Sequence, residues 1–396
     1  IIVNILGFTV FSTLLNFAFG GSKGIYADGS VSMYEATASH SKEEAFENAN
    51  NMNIRLMEEG AVLLKNDNNA LPLASGAKIS VFGKNSVNLS IGNSGSSGGS
   101  TDGAIGIHEG LERAGFSVNP TLKAFYENDC QSGAKRQPNS TDLDTGGNQV
   151  IATAETPQSM YTDAVKASYG EYSDAAIIVI TRIGGEGFDL PRTMKGMDGA
   201  RNDDDHYLQL DQNETDLLEA VCEAGFNKVI VLFNIPSTME AAFLTDPGYY
   251  AYQSGIDAAL WMGFPGNMGT IAIGEIIAGT VNPSGHTVDT WVSDFKSNPV
   301  FVNFGDNNVA SGDKYDAGMS YFVDYEEGEY VGYRYYETRG YTDGKDWYNE
   351  NVVFPFGYGL SYTTFDWRLE DDSEIRNIAI DAYAQYTVSV EVTNTG

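Results

Sequence analysis

A carboxyl group flanked by glycines is the strongest candidate for chemistry in this sequence. Glu186 lies in Arg182-Ile-Gly-Gly-Glu-Gly-Phe-Asp189, directly after the apolar run 174–181. The glycines allow sharp backbone turns, and the tip of such a loop can reach into a neighbouring cleft. A carboxyl group placed there can act as a general acid if a closed site desolvates it and raises its pKa. Composition alone still favours a solvated loop acid.

A second candidate is the polar run 90–100, Ser-Ile-Gly-Asn-Ser-Gly-Ser-Ser-Gly-Gly-Ser, which follows the apolar run 78–83. Its backbone amides and the hydroxyls of Ser94, Ser96 and Ser97 could approach a bound ligand. The run contains neither GxGxxG nor GxxxxGK[ST], so a nucleotide site is poorly supported. Composition alone favours a flexible surface loop at this position.

Other catalytic or metal-binding patterns are missing from the sequence. The four histidines have no paired spacing, no GxSxG motif occurs, and Cys130 and Cys222 are isolated from each other. Metal-assisted hydrolysis and a serine nucleophile are therefore disfavoured, and we predict no cofactor. The two cysteines fit small buried apolar side chains better than a disulfide or a zinc site.

Size and charge narrow the class of partner. The chain has 396 residues, of which 42% are hydrophobic, enough for one large or two to three ordinary domains. It carries 54 acidic and 23 basic residues, a formal net charge of −31. Such a charge repels phosphate backbones and anionic lipid headgroups, so we predict no nucleic-acid partner. An uncharged ligand such as a sugar fits better.

Apolar runs alternate with helical stretches through the middle of the chain. The runs, typical of strands buried on both faces of a parallel sheet, are 78–83, 174–181, 228–234 and 258–262. The helical stretches between them are 106–114, 213–223 and 269–278. This order predicts an open, doubly wound, mostly parallel α/β sheet over about residues 61–300. Ligands of such sheets bind at the carboxyl ends of the strands, where both candidate loops lie.

The first sixty residues contain two further elements. Residues 1–20 are apolar and uncharged, which predicts a membrane anchor or an export signal, with a segment docked on another domain as the alternative. Residues 41–59 predict a helix in which Ser41 and Glu44 form a capping box. Its predicted buried stripe consists of Ala45, Ala49, Met52 and Leu56.

The C-terminal third has a different composition. Residues 300–365 are rich in Tyr, Gly, Asp and Asn with little periodicity, which predicts long structured loops on the surface. Residues 386–393 alternate polar and apolar side chains, which indicates an antiparallel strand with one exposed face. A lone strand cannot bury its apolar face, so we expect a β-sandwich domain to continue beyond Gly396 or to come from another chain.

A series of short motifs runs through nearly the whole chain. In order, they are EGAVLLKN (59–66), ALPL (70–73), ISVFG (79–83), RIGGEGFD (182–189), FPG (264–266), NPSG (282–285), YVGYRYY (330–336) and FPFGYGLSY (354–362). Their joint order resembles the second, α/β-sandwich domain of glycoside hydrolase family 3. The final strand then resembles the start of the fibronectin type III-like domain that follows in this family.

This resemblance implies a division of the chain. A membrane-proximal or export segment with its linker would occupy residues 1–40, and the sandwich domain residues 41–300. Residues 301–365 would be a Tyr/Gly-rich loop extension of that domain, and residues 366–396 the first strands of the fibronectin-like domain. The catalytic barrel of the family is absent from these residues.

The resemblance also implies a chemistry. The complete enzyme would be a retaining, exo-acting β-glycosidase, of the β-glucosidase or β-xylosidase class, which hydrolyses terminal β-linked sugars. Glu186 would be its acid/base, while Arg182 and Asp189 would orient the loop and tune that carboxyl group. An aspartate on a barrel outside this chain would be the nucleophile. The chain alone is therefore expected to be nearly inactive.

The implied partners are a β-linked oligosaccharide or glycoside and a barrel supplied by the rest of the protein or by a second chain. The domain order resembles permuted bacterial members, in which the barrel follows the fibronectin-like domain. It fits an extracellular or cell-surface enzyme, secreted or membrane-anchored, and a homo-oligomer is a further option. The alternative function is that of a non-catalytic carbohydrate-binding or scaffolding relative that kept the fold.

Overall fold

The protein is described by a computed structural model. The described residues are 41–92, 102–130, 155–182, 193–194, 199–202, 204–245, 255–303, 325, 327–370 and 387–396. The predicted membrane anchor or export signal lies outside them. Within these ranges, no helix combines the length and the apolar character needed to cross a membrane.

Helix α1 (Lys42–Gly60) begins with the predicted capping box. The backbone N–H of Ser41 donates to the Glu44 carboxylate at 2.8 Å, and the backbone N–H of Glu44 donates to the Ser41 hydroxyl at 3.1 Å. Each side chain thereby accepts a hydrogen bond from the backbone N–H of the other residue, as the sequence spacing predicts.

The predicted buried stripe of α1 is wrong. Met52 and Leu56 are 52% and 65% exposed. The side chain of Asn53 instead accepts a hydrogen bond from the backbone N–H of Met268 and donates one to the carbonyl of Pro265, at 2.8 and 2.9 Å. Polar hydrogen bonds on the neighbouring face therefore hold the second half of this helix.

A mixed sheet forms the core. Its strands are β1 (Val62–Asn66), β2 (Lys78–Phe82), β3 (Ser117–Val118), β4 (Ala175–Thr181), β5 (Val229–Asn234) and β6 (Ala258–Trp261). The spatial order is β1-β6-β5-β4-β2-β3. Edge strand β1 runs antiparallel to β6, and the other neighbours are parallel. The predicted mostly parallel sheet is confirmed.

Helices cover both faces of this sheet. They are α2 (Ile107–Arg113), α3 (Pro120–Ala124), α4 (Asp163–Ser168), α5 (Gln212–Glu223) and α6 (Thr270–Ala278). Alternate residues of β4 pack with α3, α4 and α5 on one face and with α2 and α6 on the other, so every residue of β4 is buried. Two buried faces explain why this strand is a continuous apolar run.

The strand order reverses direction at β2. From β2 the chain crosses to β3 on one side, and then to β4, β5 and β6 on the other. The carboxyl ends of β2 and β4 therefore flank the topological switch point, where loops of open α/β sheets diverge and leave a crevice. Gly83 follows β2 with a φ of 100°, and a Cβ atom there would lie 2.6 Å from the carbonyl oxygen of Val179. Only glycine fits this close approach.

Two helices occupy part of the region where composition predicted long loops. They are α7 (Tyr333–Asp343) and α8 (Lys345–Asn351), followed by β8 (Val352–Phe354), which pairs antiparallel with β7 (Trp291–Val292). Tyr336 of α7 is fully buried and its ring stacks on Trp347 of α8, with centroids 6.2 Å apart. The loop prediction is wrong here because the tyrosine ring makes an apolar contact between the two helices, although the hydroxyl group makes the residue look polar in the sequence.

The predicted C-terminal strand is β10 (Val390–Asn394), and it pairs antiparallel with β9 (Phe365–Leu369). Its partner thus precedes it in the chain. Trp367 lies opposite Val392, and both side chains are exposed, at 67% and 47%. A β-sandwich domain that covers this apolar face stays a prediction.

Candidate functional site

The candidate site lies at the switch point, where β2 and β4 end. Of the predicted site residues, Arg182 is the first residue after β4 and lies within the described part of the chain. Glu186 and Asp189 lie outside the described residues, as do Ser94, Ser96 and Ser97 of the second candidate loop. The described residues therefore define the base of each loop.

Arg182 is buried, with 1% of its surface exposed. Its Nη1 and Nη2 atoms donate to the two carboxylate oxygens of Glu214, at 2.6 and 2.8 Å. The remaining three N–H groups donate to the backbone carbonyls of Tyr207, Thr181 and Gln209. All five guanidinium donors are thus used inside the protein, so this side chain orients the loop base and has no donor left for a ligand.

Glu214 belongs to the first turn of α5. Its backbone N–H donates to the N-cap side chain of Asp211 at 2.7 Å, and its carboxylate accepts from the backbone N–H of Asp211 at 2.9 Å. This second capping box is buried, since Asp211 and Glu214 are 4% and 5% exposed. The same carboxylate therefore caps a helix and neutralises Arg182.

The segment 205–209 lies between the two limbs of the Glu186 loop. Its residues Tyr207 and Gln209 accept the hydrogen bonds of Arg182 on the entry limb. On the return limb, the backbone N–H of Met194 donates to the carbonyl of Asp205 at 2.8 Å. Residues 183–192 consequently connect two points that one short segment holds in place.

A third buried carboxyl group, that of Glu155, connects this region to the end of β2. Its oxygens accept hydrogen bonds from the backbone N–H of Lys84 at 2.8 and 3.1 Å and from that of Thr156 at 2.7 Å. The backbone carbonyl of Glu155 accepts from the Asn213 side chain of α5 at 3.1 Å. The segments that leave β2 and β4 are thus both attached to the start of α5.

Burial controls the charge of this cluster. Burial, with a smaller contribution from the charge of Glu214, raises the pKa of Glu155 to about 7 against the hydrogen bonds from Thr156 and Lys84. Burial and then the Glu214 carboxylate hold the pKa of Asp211 well above its usual range. Burial alone would lower the pKa of Arg182, but Glu214 outweighs it and the pKa lies above its ordinary value. Three buried carboxyl groups thus interact here, while Arg182 is ion-paired with Glu214 and also acts on Asp211.

A neutral amide holds the base of the second candidate loop. The side chain of Asn234, at the end of β5, accepts from the backbone N–H of Ser90 and donates to its carbonyl, both at 2.8 Å. It also donates to the carbonyl of Gly263, after β6, at 2.8 Å. Asn234 is fully buried, so it fixes the start of the run 90–100 against two other strand ends.

Four residues that build the site base are not among the predicted site residues: Glu155, Asp211, Glu214 and Asn234. A signal existed for two of them, because Asp211-Gln-Asn-Glu214 has the spacing of a capping box before an apolar helix. The partners of Glu155 and Asn234 are distant in sequence, and no local pattern indicates them.

Comparisons with known proteins agree with this architecture. The family model of the glycosyl hydrolase family 3 C-terminal domain matches residues 61–362. Beta-glucosidase A of Butyrivibrio fibrisolvens is 30% identical over an alignment of 363 residues that covers 85% of this chain and 39% of that protein. Thermostable beta-glucosidase B of Acetivibrio thermocellus is 28% identical over 346 residues, 85% of this chain and 36% of that protein.

Solved structures show the same relationship. A beta-glucosidase from Paenibacillus barengoltzii superimposes with a TM-score of 0.62 at 28% identity, over 88% of this chain and 33% of that one. Beta-glucosidase 3B from Thermotoga neapolitana, in complex with glucose, gives 0.61 at 28% identity, over 83% of this chain and 40% of that one. The chain spans less than half the length of these relatives. It belongs to glycoside hydrolase family 3, and residues 61–362 are the C-terminal domain of that family.

Proposed function

We propose that this chain supplies the acid/base carboxyl group, Glu186, to a retaining exo-acting β-glycosidase that hydrolyses terminal β-linked glucose. The nucleophile would be an aspartate on a barrel domain outside these residues. The proposal is supported by the sequence Gly-Glu-Gly-Phe-Asp at 185–189, which follows β4 in the chain, because the carboxyl end of β4 flanks the switch point of a family 3 C-terminal domain. The names of the relatives, all beta-glucosidases, favour glucose as the sugar.

The mechanism would be a double displacement. The barrel aspartate attacks the anomeric carbon while Glu186 protonates the departing glycosidic oxygen, and Glu186 then removes a proton from the water that releases the sugar. The two carboxyl groups would stand roughly 5–5.5 Å apart, as retention requires. Arg182 would act on this chemistry through the loop base, since its five donors are bound within the protein.

The test is the Glu186→Ala variant of the complete protein, assayed on aryl and alkyl β-glucosides. Loss of the general acid should lower kcat/KM by about 10²–10⁴-fold for substrates with poor leaving groups. Dinitrophenyl glucosides, whose leaving group departs without protonation, should retain most of their glycosylation rate. Azide should restore turnover of these activated substrates as a glycosyl azide, because a small anion replaces the missing base.

Glu219→Ala is the matched control, because Glu219 is a partly exposed glutamate on α5 outside the described base of the loop. It should leave all rates unchanged. Equal rates of wild type and Glu186→Ala on every leaving group would exclude Glu186 as the acid. Sugar binding without turnover by the complete wild-type protein would favour the non-catalytic alternative.

A further inference from the structure

The salt bridge between Arg182 and Glu214 connects a helix to the base of the Glu186 loop. Arg182 follows β4 immediately, and Glu214 lies in the first turn of α5, 32 residues further along the chain. Both side chains are nearly inaccessible, at 1% and 6% exposure. Water therefore cannot replace either partner, and the orientation of Arg182 depends on the Glu214 carboxylate.

The hydrogen bonds of Arg182 transmit that orientation to the chain on both sides of the loop. With Glu214 in place, the guanidinium plane is fixed by a two-point contact, and its other donors meet the carbonyls of Tyr207 and Gln209. Segment 205–209 in turn holds Met194 on the return limb. Arg182 and Met194 are thus both attached to segment 205–209, and Glu214 fixes the guanidinium that makes the first of these attachments.

Glu214 is itself held in place by its own helix. Its carboxylate accepts three hydrogen bonds, two from Arg182 and one from the backbone N–H of Asp211. A helix start is a rigid support compared with a loop, because its backbone conformation is fixed by the capping box. The carboxylate therefore has the fixed position that a positioning residue needs.

We infer that Glu214 is a positioning residue for the acid/base group, acting through Arg182 to fix the chain at the start of the segment 183–192, which contains Glu186. This inference rests on the proposed function of Glu186. A displacement of about 1 Å at a reacting group can lower a rate by about 10²-fold, so a small change at the loop base has a measurable consequence.

The experiment uses Glu214→Gln in the complete protein, because glutamine keeps the shape of the side chain and removes its charge. Arg182→Lys is the second variant, because lysine keeps the charge and loses the two-point contact. We expect kcat/KM on phenyl and alkyl β-glucosides to fall roughly 10–100-fold. The kcat/KM on dinitrophenyl glucosides should change less than about 3-fold, because it reports the first step, in which their leaving group departs without a proton.

Glu219→Gln on the same helix is the matched control, because it also removes one negative charge. Glu219 is not among the hydrogen-bond acceptors of Arg182. It should behave as wild type. A purely structural role of Glu214 would lower the amount of folded protein and leave the dependence on the leaving group unchanged. That result, or equal losses on all substrates, would overturn the inference.

The variants also separate this inference from the proposed function. If Glu186→Ala changes the leaving-group dependence and neither Glu214→Gln nor Arg182→Lys does, Glu186 is the acid and the positioning role fails alone. If Glu186→Ala has no such effect, the proposed function of Glu186 is wrong, and the positioning role that rests on it is wrong as well. If neither Glu214→Gln nor Arg182→Lys yields folded protein, the pair is a requirement for folding and the positioning role is withdrawn.

Discussion

Two capping boxes in this protein have the same local geometry and different surroundings. The box of Ser41 and Glu44 starts α1, and the box of Asp211 and Glu214 starts α5. In both, the N-cap side chain binds the backbone N–H three residues on, and the glutamate binds the N-cap N–H. The first is exposed to solvent, and the second is buried under the ends of β2 and β4.

Burial changes what the second box does. At Ser41, water solvates the Glu44 carboxylate, so the box affects little beyond the first helical turn. At Asp211 the box is buried, Arg182 pairs with the Glu214 carboxylate, and burial together with the charge of Glu214 raises the pKa of Asp211 and of Glu155. A local motif therefore acquires an electrostatic function when tertiary structure buries it away from solvent.

The largest effect should follow the removal of the cation from the buried box. Arg182→Met leaves Glu214 as an unpaired buried carboxylate beside two other carboxyl groups, so the free energy of unfolding should fall by about 3–5 kcal/mol. Urea denaturation followed by far-UV circular dichroism measures this change. Arg113→Met removes a half-exposed salt bridge to Glu109 and should cost less than about 1 kcal/mol. Similar losses for both variants would contradict the distinction between the boxes.

A smaller effect should appear as a pH-dependent difference in folding stability between Glu155→Gln and wild type. Burial raises the pKa of Glu155 from its ordinary value near 4.5 to about 7, so the folded protein holds this proton more tightly than the unfolded chain. The stabilisation from that proton is complete below pH 4.5 and is lost as the pH rises through 7. Glutamine stays neutral, so the stability of the variant relative to wild type should increase by about 2.5 kcal/mol between pH 5 and 8. Urea midpoints at pH 5, 6, 7 and 8 measure it, and parallel curves would show that Glu155 does not titrate there.

The smallest effect should follow the loss of the exposed box. Ser41→Ala removes one acceptor from the start of α1, where water can replace it, so we expect a loss of about 0.5–1 kcal/mol in helix stability. Amide hydrogen exchange at the first turn of α1 measures this local change. Ser41→Asp is the control, because aspartate is an equally good N-cap and should restore protection. A loss as large as that of Arg182→Met would mean that the exposed box also supports distant structure.

The sequence by itself determined the elements that depend on near neighbours. Continuous apolar runs identified β2, β4, β5 and β6, since a strand covered on both faces has no polar side. The spacing of Ser41 and Glu44 identified the exposed box, and the same spacing would have identified the second box at Asp211 and Glu214. The alternation of strands and helices then predicted that both candidate loops leave from one edge of the sheet, because loops after parallel strands leave on the same side.

Tertiary structure decided what no local pattern contains. Arg182 meets Glu214 32 residues away, Asn234 meets Ser90 144 residues away, and Glu155 meets Lys84 71 residues away. A titrating group responds to burial and to charges near it in space, so its pKa is a property of the fold. The sequence predicted that Glu186 and Arg182 belong to one loop, whereas the fold made Arg182 a buried cation paired with Glu214, because only folding removes both of these side chains from water.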